Sequence, residues 1–265
     1  MIKGIFISKN NLFISALSLI ILSALTFVVG LPGDSDEITA NNATNKVSVV
    51  KVLIFDGDGS MEESVAGIKA CLDESNNMNF TSGVYFDYAT TGEINSNTLS
   101  GYDILIMPGG NSANYVEGST IDEDAIKQFL NRGNGYLGIC AGAYAASSSV
   151  DGSYLGWGLA SHVNTINVIY EGLVSITPTS AGSTLLGSSK INLHHQNGPV
   201  MYTTSSSPTS FATYTDTETG YQGYSSILGE NYGSGRVLLS GSHPELDPQN
   251  SELLVQMILW ATKNT

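Results

Sequence analysis

From position 47 onward the apolar residues fall into short continuous runs, and these alternate with segments of helical period. Residues 47–55 (VSVVKVLIF) form a β-branched run of buried-strand type, closed by the turn formers Asp56-Gly57-Asp58-Gly59. Residues 62–72 then place Val65, Ile68 and Leu72 on one helical face, with Cys71 beside them. Residues 84–88 read as a short strand, and 102–107 (YDILIM) as a buried one stopped by Pro108-Gly109-Gly110. Residues 121–130 predict an amphipathic helix, acidic in its first turn and followed by Arg132-Gly133, as the helix dipole and C-cap rules favour. A fourth strand, 136–139, runs straight into the helical segment AGAYAAS. Strand and helix in repetition predict an α/β domain, a parallel sheet wrapped on both faces by right-handed crossovers.

The later half changes character. It is rich in Ser, Thr, Gly and Tyr, with alternating apolar and polar positions at 164–170, 190–195, 211–214 and 225–228, which read as antiparallel additions to the sheet. Residues 236–240 (RVLLS) return as a buried strand ending at Gly241-Ser242-His243. A last helix over 251–262 gathers Leu253, Leu254, Met257 and Ile258 on one face. No repeat of solenoid period interrupts this order, so 47–265 reads as one domain.

Ahead of it lies a different pattern. Residues 12–31 (LFISALSLIILSALTFVVGL) are uncharged and apolar throughout, long enough as one N-terminal hydrophobic helix to cross a bilayer's hydrocarbon core of about 30 Å. Lys3 and Lys9 precede the run, while Asp34, Asp36 and Glu37 follow it. The positive-inside rule therefore expects residues 1–31 to be a signal peptide or transmembrane anchor, with the domain outside the cytoplasm. No A-x-A site follows the run, and its length favours the anchor. Residues 32–46 (PGDSDEITANNATNK) have no apolar period and read as a flexible linker.

Composition narrows the function. Ten Lys and Arg against 24 Asp and Glu give a formal net charge of −14, a surface that repels phosphate backbones and argues against nucleic-acid partners. Two cysteines build neither a disulfide scaffold nor a Cys-rich zinc site.

The chemistry-bearing stretch is Gly135-Tyr136-Leu137-Gly138-Ile139-Cys140-Ala141-Gly142-Ala143-Tyr144, a G-x-C-x-G pattern at a strand-to-helix junction. A nucleophile placed on so sharp a turn needs small neighbours two positions away on either side, and Gly138 and Gly142 supply them. The start of the next helix points free N–H groups toward the sulfur and favours the thiolate. Late in the chain, Ser242-His243-Pro244-Glu245 ends another buried strand. Residues two apart in an extended segment project to one side, so Glu245 can fix the His243 ring and leave its other nitrogen free for a proton. In parallel sheets the carboxyl ends of neighbouring strands share one edge, where Cys140 and His243 can meet. The side-chain-free Pro108-Gly109-Gly110 loop and Ala141 are placed to offer backbone N–H groups as an oxyanion hole.

G-x-C-x-G after a strand, an upstream P-G-G and a downstream H-P-E together resemble class I glutamine amidotransferase-like domains. MPGG, GYLGICAGAYAAS and GSHPE are most similar to the N-terminal domain of some biotin–protein ligases, over roughly residues 47–265. The resemblance implies a flavodoxin-like three-layer sandwich with a mostly parallel central sheet, a Cys140–His243–Glu245 triad, and oxyanion donors at Gly110 and Ala141. It also brings Gly109, Tyr144, His195 and Asn197 near the pocket as substrate contacts. Where glutamine amidotransferases usually carry Gln four positions after the cysteine, this chain has Tyr144, which argues against glutaminase chemistry.

Other signals were weighed against simpler readings. His194-His195 lie on a strand and point to opposite faces, so they make a poor metal pair; no metal and no cofactor is expected. Asp56-Gly57-Asp58-Gly59-Ser60 lacks calcium-loop spacing and reads as a tight loop at the site edge. Cys71, on an apolar helical face, reads as a buried free thiol rather than a disulfide partner that would cancel Cys140. The sequence thus points to an extracytoplasmic Cys-His-Glu thiol hydrolase or amidase acting on a small-molecule or peptide amide. The alternative is a binding module that keeps the fold without the chemistry.

Overall fold

The computed structural model describes residues 47–264; the apolar run 12–31 and the linker 32–46 lie outside the described residues. Among the described residues no helix is long and apolar enough to cross a membrane.

Strand β1 (Ser48–Phe55) leads through the 56–61 loop into α1 (Glu62–Met78), followed by β2 (Val84–Thr91) and β3 (Ile104–Met107). Two helices, α2 (Ser112–Glu117) and α3 (Glu123–Asn131), precede β4 (Gly135–Ile139), which turns at Cys140 into α4 (Ala141–Ala146). The second half runs β5 (Ser147–Val150), β6 (Tyr154–Leu155), β7 (Ala160–Asn167), β8 (Glu171–Pro178), α5 (Ser183–Leu186) and β9 (Ile191–Gln196). It continues with β10 (Pro199–Thr203), β11 (Thr209–Tyr214), β12 (Ser225–Tyr232) and β13 (Gly235–Ser240), and ends in α6 (Ser251–Ala261).

One mixed sheet carries the order β2-β1-β3-β4-β13-β12-β10-β7-β5-β6, with β11, β8 and β9 branching from β12. The half from β2 to β13 is parallel. Beyond β13 the pairings are antiparallel except for β5 with β7. Strand parity makes the three layers. Val52, Ile54, Ile104, Ile106, Leu137 and Leu238 face α1 and α6. Their neighbours Leu53, Phe55, Leu105, Met107, Tyr136 and Leu239 face α3 and α4. Both faces are covered, which is why the central parts of these strands are continuous apolar runs, such as residues 52–55 and 237–239.

Differences from the sequence pattern have local causes. Helix α1 continues past residue 72 because no breaker intervenes, and it ends only where Asn79 takes a left-handed conformation (φ 54°). Strand β7 spans Ala160–Asn167 rather than 164–170, because the chain folds back at Val168, whose carbonyl accepts the Tyr170 N–H at 3.1 Å. Strands β8 and β10 enlarge the antiparallel half beyond the four alternating segments.

Candidate functional site

Parallel neighbours β4 and β13 are in register Ile139 to Ser240, so the residues after each strand emerge side by side. The Cys140 N–H donates to the Ser240 carbonyl at 2.9 Å, tying the two strand ends together. Cys140 sits at φ 50°, ψ −102°, a conformation that L-residues avoid, and α4 begins immediately after it. The flanking glycines are sterically required. A Cβ on Gly138 would lie 2.5 Å from the Gly142 carbonyl oxygen, and one on Gly142 would lie 2.2 Å from that of Met107. The sharp, glycine-flanked turn predicted from spacing is therefore present as backbone geometry.

After β13 the chain turns through Gly241-Ser242, where the Ser240 hydroxyl donates to the Ser242 carbonyl at 2.6 Å. The His243 N–H then donates to the His194 carbonyl at 2.8 Å, which anchors the loop to β9. His243 is buried; its Nδ1 is 2.8 Å from Glu245 Oε1, and its Nε2 has no hydrogen-bond partner among the described residues. Burial pushes the imidazole down, but the adjacent Glu245 carboxylate and the Cys140 sulfur outweigh it and raise His243 to about 10.

Glu245 is itself held from behind. The Ser64 hydroxyl donates to Glu245 Oε1 at 2.6 Å, and Ser64 Oγ accepts the Gly109 N–H at 2.9 Å. Helix α1 approaches this closely because Gly67 has no side chain: a Cβ there would lie 2.4 Å from the Glu245 carbonyl oxygen. The Pro108-Gly109-Gly110 loop is clamped again by the Met61 N–H on the Gly109 carbonyl at 2.8 Å. The His243 ring lies against Gly109, where a Cβ would come within 2.5 Å of Cε1. Among the described residues the amides of Gly110 and Ala141 make no hydrogen bond, so both donors remain free.

Cys140, His243 and Gly110 line one cavity of about 500 Å³. Tyr144 and Asn197 are on its wall. The Tyr144 hydroxyl donates to Asn167 Oδ1 at 2.9 Å and also lies 3.1 Å from the Asn197 carbonyl oxygen. Burial and the Cys140 sulfur push the phenol well above its ordinary range, so it stays a neutral donor. Two expected substrate contacts lie elsewhere. Gly109 is behind His243, and His195 points inward from β9, fully buried, with Nδ1 3.1 Å from the Ser242 hydroxyl. Burial, with His243 and His194 nearby, lowers His195 to about 4, so it is a neutral core histidine.

The pattern of apolar residues carries no trace of Ser64, Met61, Gly67, Asn167 or Asp151. Ser64 and Gly67 are small residues in an otherwise ordinary helix, and the others become wall residues only through long-range pairing. Cys71 is free and buried, its thiol pushed up to about 11 by burial.

Comparison with known proteins agrees with this geometry. The profile of the family described as "Biotin-protein ligase, N terminal" matches residues 50–154. The biotin–protein ligase of Schizosaccharomyces pombe is 28% identical over 179 residues, 57% of this chain and 27% of the ligase. The chain thus spans about a quarter of the length of that relative. A glutamine amidotransferase structure aligns with TM-score 0.57 at 18% identity, over 80% of this chain and 98% of the other. PurLQS from Thermotoga maritima aligns with TM-score 0.56 at 13% identity, over 81% and 98%. At such identities structural likeness speaks for the fold. The chain is therefore similar in sequence to the biotin–protein ligase N-terminal family over residues 50–154, and it shares its fold with glutamine amidotransferase structures.

Proposed function

We propose that the protein is a thiol amidase with Cys140 as nucleophile and His243 as the proton carrier, oriented by Glu245. One observation carries this reading. His243 is buried, with Nδ1 fixed by Glu245 and Nε2 without a hydrogen-bond partner among the described residues, and it lines the same cavity as Cys140. His195 also has a buried Nε2 without a partner, but it faces the core, whereas His243 lines the cavity with Cys140. An imidazolium beside the sulfur favours the thiolate. The thiolate attacks the amide carbonyl, and the Gly110 and Ala141 amides receive the oxyanion. The proton already on His243 goes to the leaving nitrogen, and water hydrolyses the resulting thioester.

The same reading puts the domain outside the cytoplasm, anchored or secreted, on the strength of the apolar run 12–31 with lysines before it and carboxylates after it. A second reading, a ligand-binding module on the same fold, draws on Tyr144, whose ring occupies the wall four residues after Cys140.

Iodoacetamide labelling of Cys140 across pH separates the two. In the amidase, Cys140 labels at pH 6 at least tenfold faster than free cysteine, and His243→Ala moves the onset to the ordinary thiol range near pH 8.5. A Cys140 that labels no faster than free cysteine refutes the amidase and leaves the binding module.

A further inference from the structure

Two carboxamides in the wall of the Cys140 cavity, Asn111 and Asn167, have their oxygens already engaged. Asn111 Oδ1 accepts the Ala113 N–H at 3.0 Å and the Asn114 N–H at 3.4 Å. Asn167 Oδ1 accepts the Tyr144 hydroxyl at 2.9 Å. An amide turned so that its oxygen takes such bonds offers only its NH2 group to anything else. Neither NH2 group has a partner among the described residues. Two residues of the wall thus carry neutral donors whose orientation is set by bonds elsewhere, in a cavity that Gly110, with its own free amide, also lines.

Charge adds a restriction. Asp151 belongs to the same wall, its Oδ1 taking the Asn167 N–H at 3.0 Å, and neither Lys nor Arg lines the cavity. The imidazole of His243 is already paired with Glu245. A ligand with a free carboxylate therefore finds a like charge and no uncommitted cation. A hydroxyl-rich ligand asks for acceptors as well as donors, because each hydroxyl carries a hydrogen, whereas a backbone carbonyl only accepts. Neutral, oriented donors suit a run of peptide carbonyls. The molecule itself contains that pairing: Asn76 Nδ2 donates to the Phe86 carbonyl at 2.9 Å, while its Oδ1 accepts the Phe86 N–H at 2.9 Å.

We infer that the substrate is a peptide with no free carboxylate at the site, its backbone carbonyls accepting from the NH2 groups of Asn111 and Asn167; the inference rests on Cys140 being the nucleophile. The bond broken is then a backbone amide. Sγ bonds to the carbonyl carbon, the C–N bond breaks, and the His243 proton moves to the departing nitrogen. Water then splits the thioester into a carboxylic acid and the Cys140 thiol. Amides that carry a free carboxylate are disfavoured.

The test uses the full chain and four probes with one reactive group: iodoacetamide, iodoacetyl-glycylglycinamide, iodoacetyl-glycylglycine and N-iodoacetylglucosamine. Second-order rates at Cys140 are read by peptide mass mapping and normalised to glutathione. The glycylglycinamide probe is expected to outpace iodoacetamide by about tenfold, with the free-acid and sugar probes below it. Asn111→Asp and Asn167→Asp keep the oxygen that each existing bond uses and replace the NH2 group with a second oxygen. Each should lower the ratio of glycylglycinamide to iodoacetamide rates about two- to tenfold, the worth of one neutral hydrogen bond. That ratio cancels any change in the thiolate population of Cys140. Equal rates for those two probes, or a sugar or free-acid probe as fast as the glycylglycinamide, overturn this inference and leave the amidase standing. So does a peptide preference that both variants leave unchanged. Failure of every probe to label faster than glutathione overturns both. Because the probe series uses the unmutated protein, the outcome does not depend on a variant folding.

Discussion

Replacing Ser64 with Ala removes one oxygen and breaks two hydrogen bonds at once, the 2.6 Å bond given to Glu245 Oε1 and the 2.9 Å bond accepted from the Gly109 amide. The Gly109 amide is left without its acceptor in a buried loop, and Glu245, 2% exposed, keeps among the described residues only its contact with His243. An unsatisfied neutral amide costs about 1–3 kcal/mol, and loss of a bond to a carboxylate about 1.5–3 kcal/mol. The two are coupled through one hydroxyl, so the sum overstates the whole, and a destabilisation of about 3 kcal/mol is expected in urea denaturation. The same hydroxyl joins the oxyanion loop to the triad acid, so its loss also frees His243 to tilt. A misplacement of about 1 Å costs up to about 100-fold in rate, and the pH onset of Cys140 labelling should move toward that of His243→Ala. Ser64→Thr, which keeps the hydroxyl, should recover the pH profile even if its methyl group lowers stability. A Ser64→Ala protein that loses less than 0.5 kcal/mol and keeps the native pH profile would show that the relay has no energetic content.

Three further outcomes follow from the geometry. Gly142→Ala puts a Cβ 2.2 Å from the Met107 carbonyl oxygen, backbone that cannot swing aside; a loss of about 3 kcal/mol is expected, and a change below 1 kcal/mol in denaturant midpoint analysis would contradict it. His195 is lowered from 6.5 to about 4, so between those pH values the unfolded chain binds a proton that the folded one refuses. Its contribution is therefore complete above pH 6.5 and is lost on acidification through that window, by about 3 kcal/mol in full; His195→Asn should flatten the slope, and an unchanged slope would remove His195 as its source. Cys71, buried and raised to about 11, should resist alkylation at pH 8 until the protein is denatured, leaving Cys140 as the reactive thiol in peptide maps; comparable native labelling of both would contradict its burial.

The features legible from sequence are those in which a local rule forces a residue type. The Cys140 elbow needs Gly138 and Gly142 for steric reasons, and the His243-x-Glu245 spacing puts both side chains on one side of an extended segment. The central parallel strands are legible because burial on both faces leaves short runs without polar alternation, as in Ile104–Met107 and Gly135–Ile139. What stayed hidden depends on pairing across the chain. Ser64 is one serine among the ordinary residues of α1, and only the approach of Glu245 gives it a role. The family resemblance puts His195 near the pocket, yet strand alternation sends it into the core. Strand β8 had a readable signal in the alternating Val174 and Ile176, obscured by the glycine and polar residues around them.

Cys140 and His243 follow adjacent parallel strands, whose ends are joined by the Cys140 amide on the Ser240 carbonyl. Everything from β5 to β12 is threaded between those strands and returns to them at β9, where the His194 carbonyl accepts the His243 N–H and the Gln196 carbonyl lies 3.6 Å from Cys140 Sγ. That stretch includes Asp151, Asn167, Gln196 and Asn197, which form much of the cavity's lining. One strand of it thus ties back to both residues, while Asp151 and Asn167 wall the cavity from elsewhere in the stretch. An engineer retuning what the cavity accepts should exchange loops on either side of β9 and leave residues 191–196 intact.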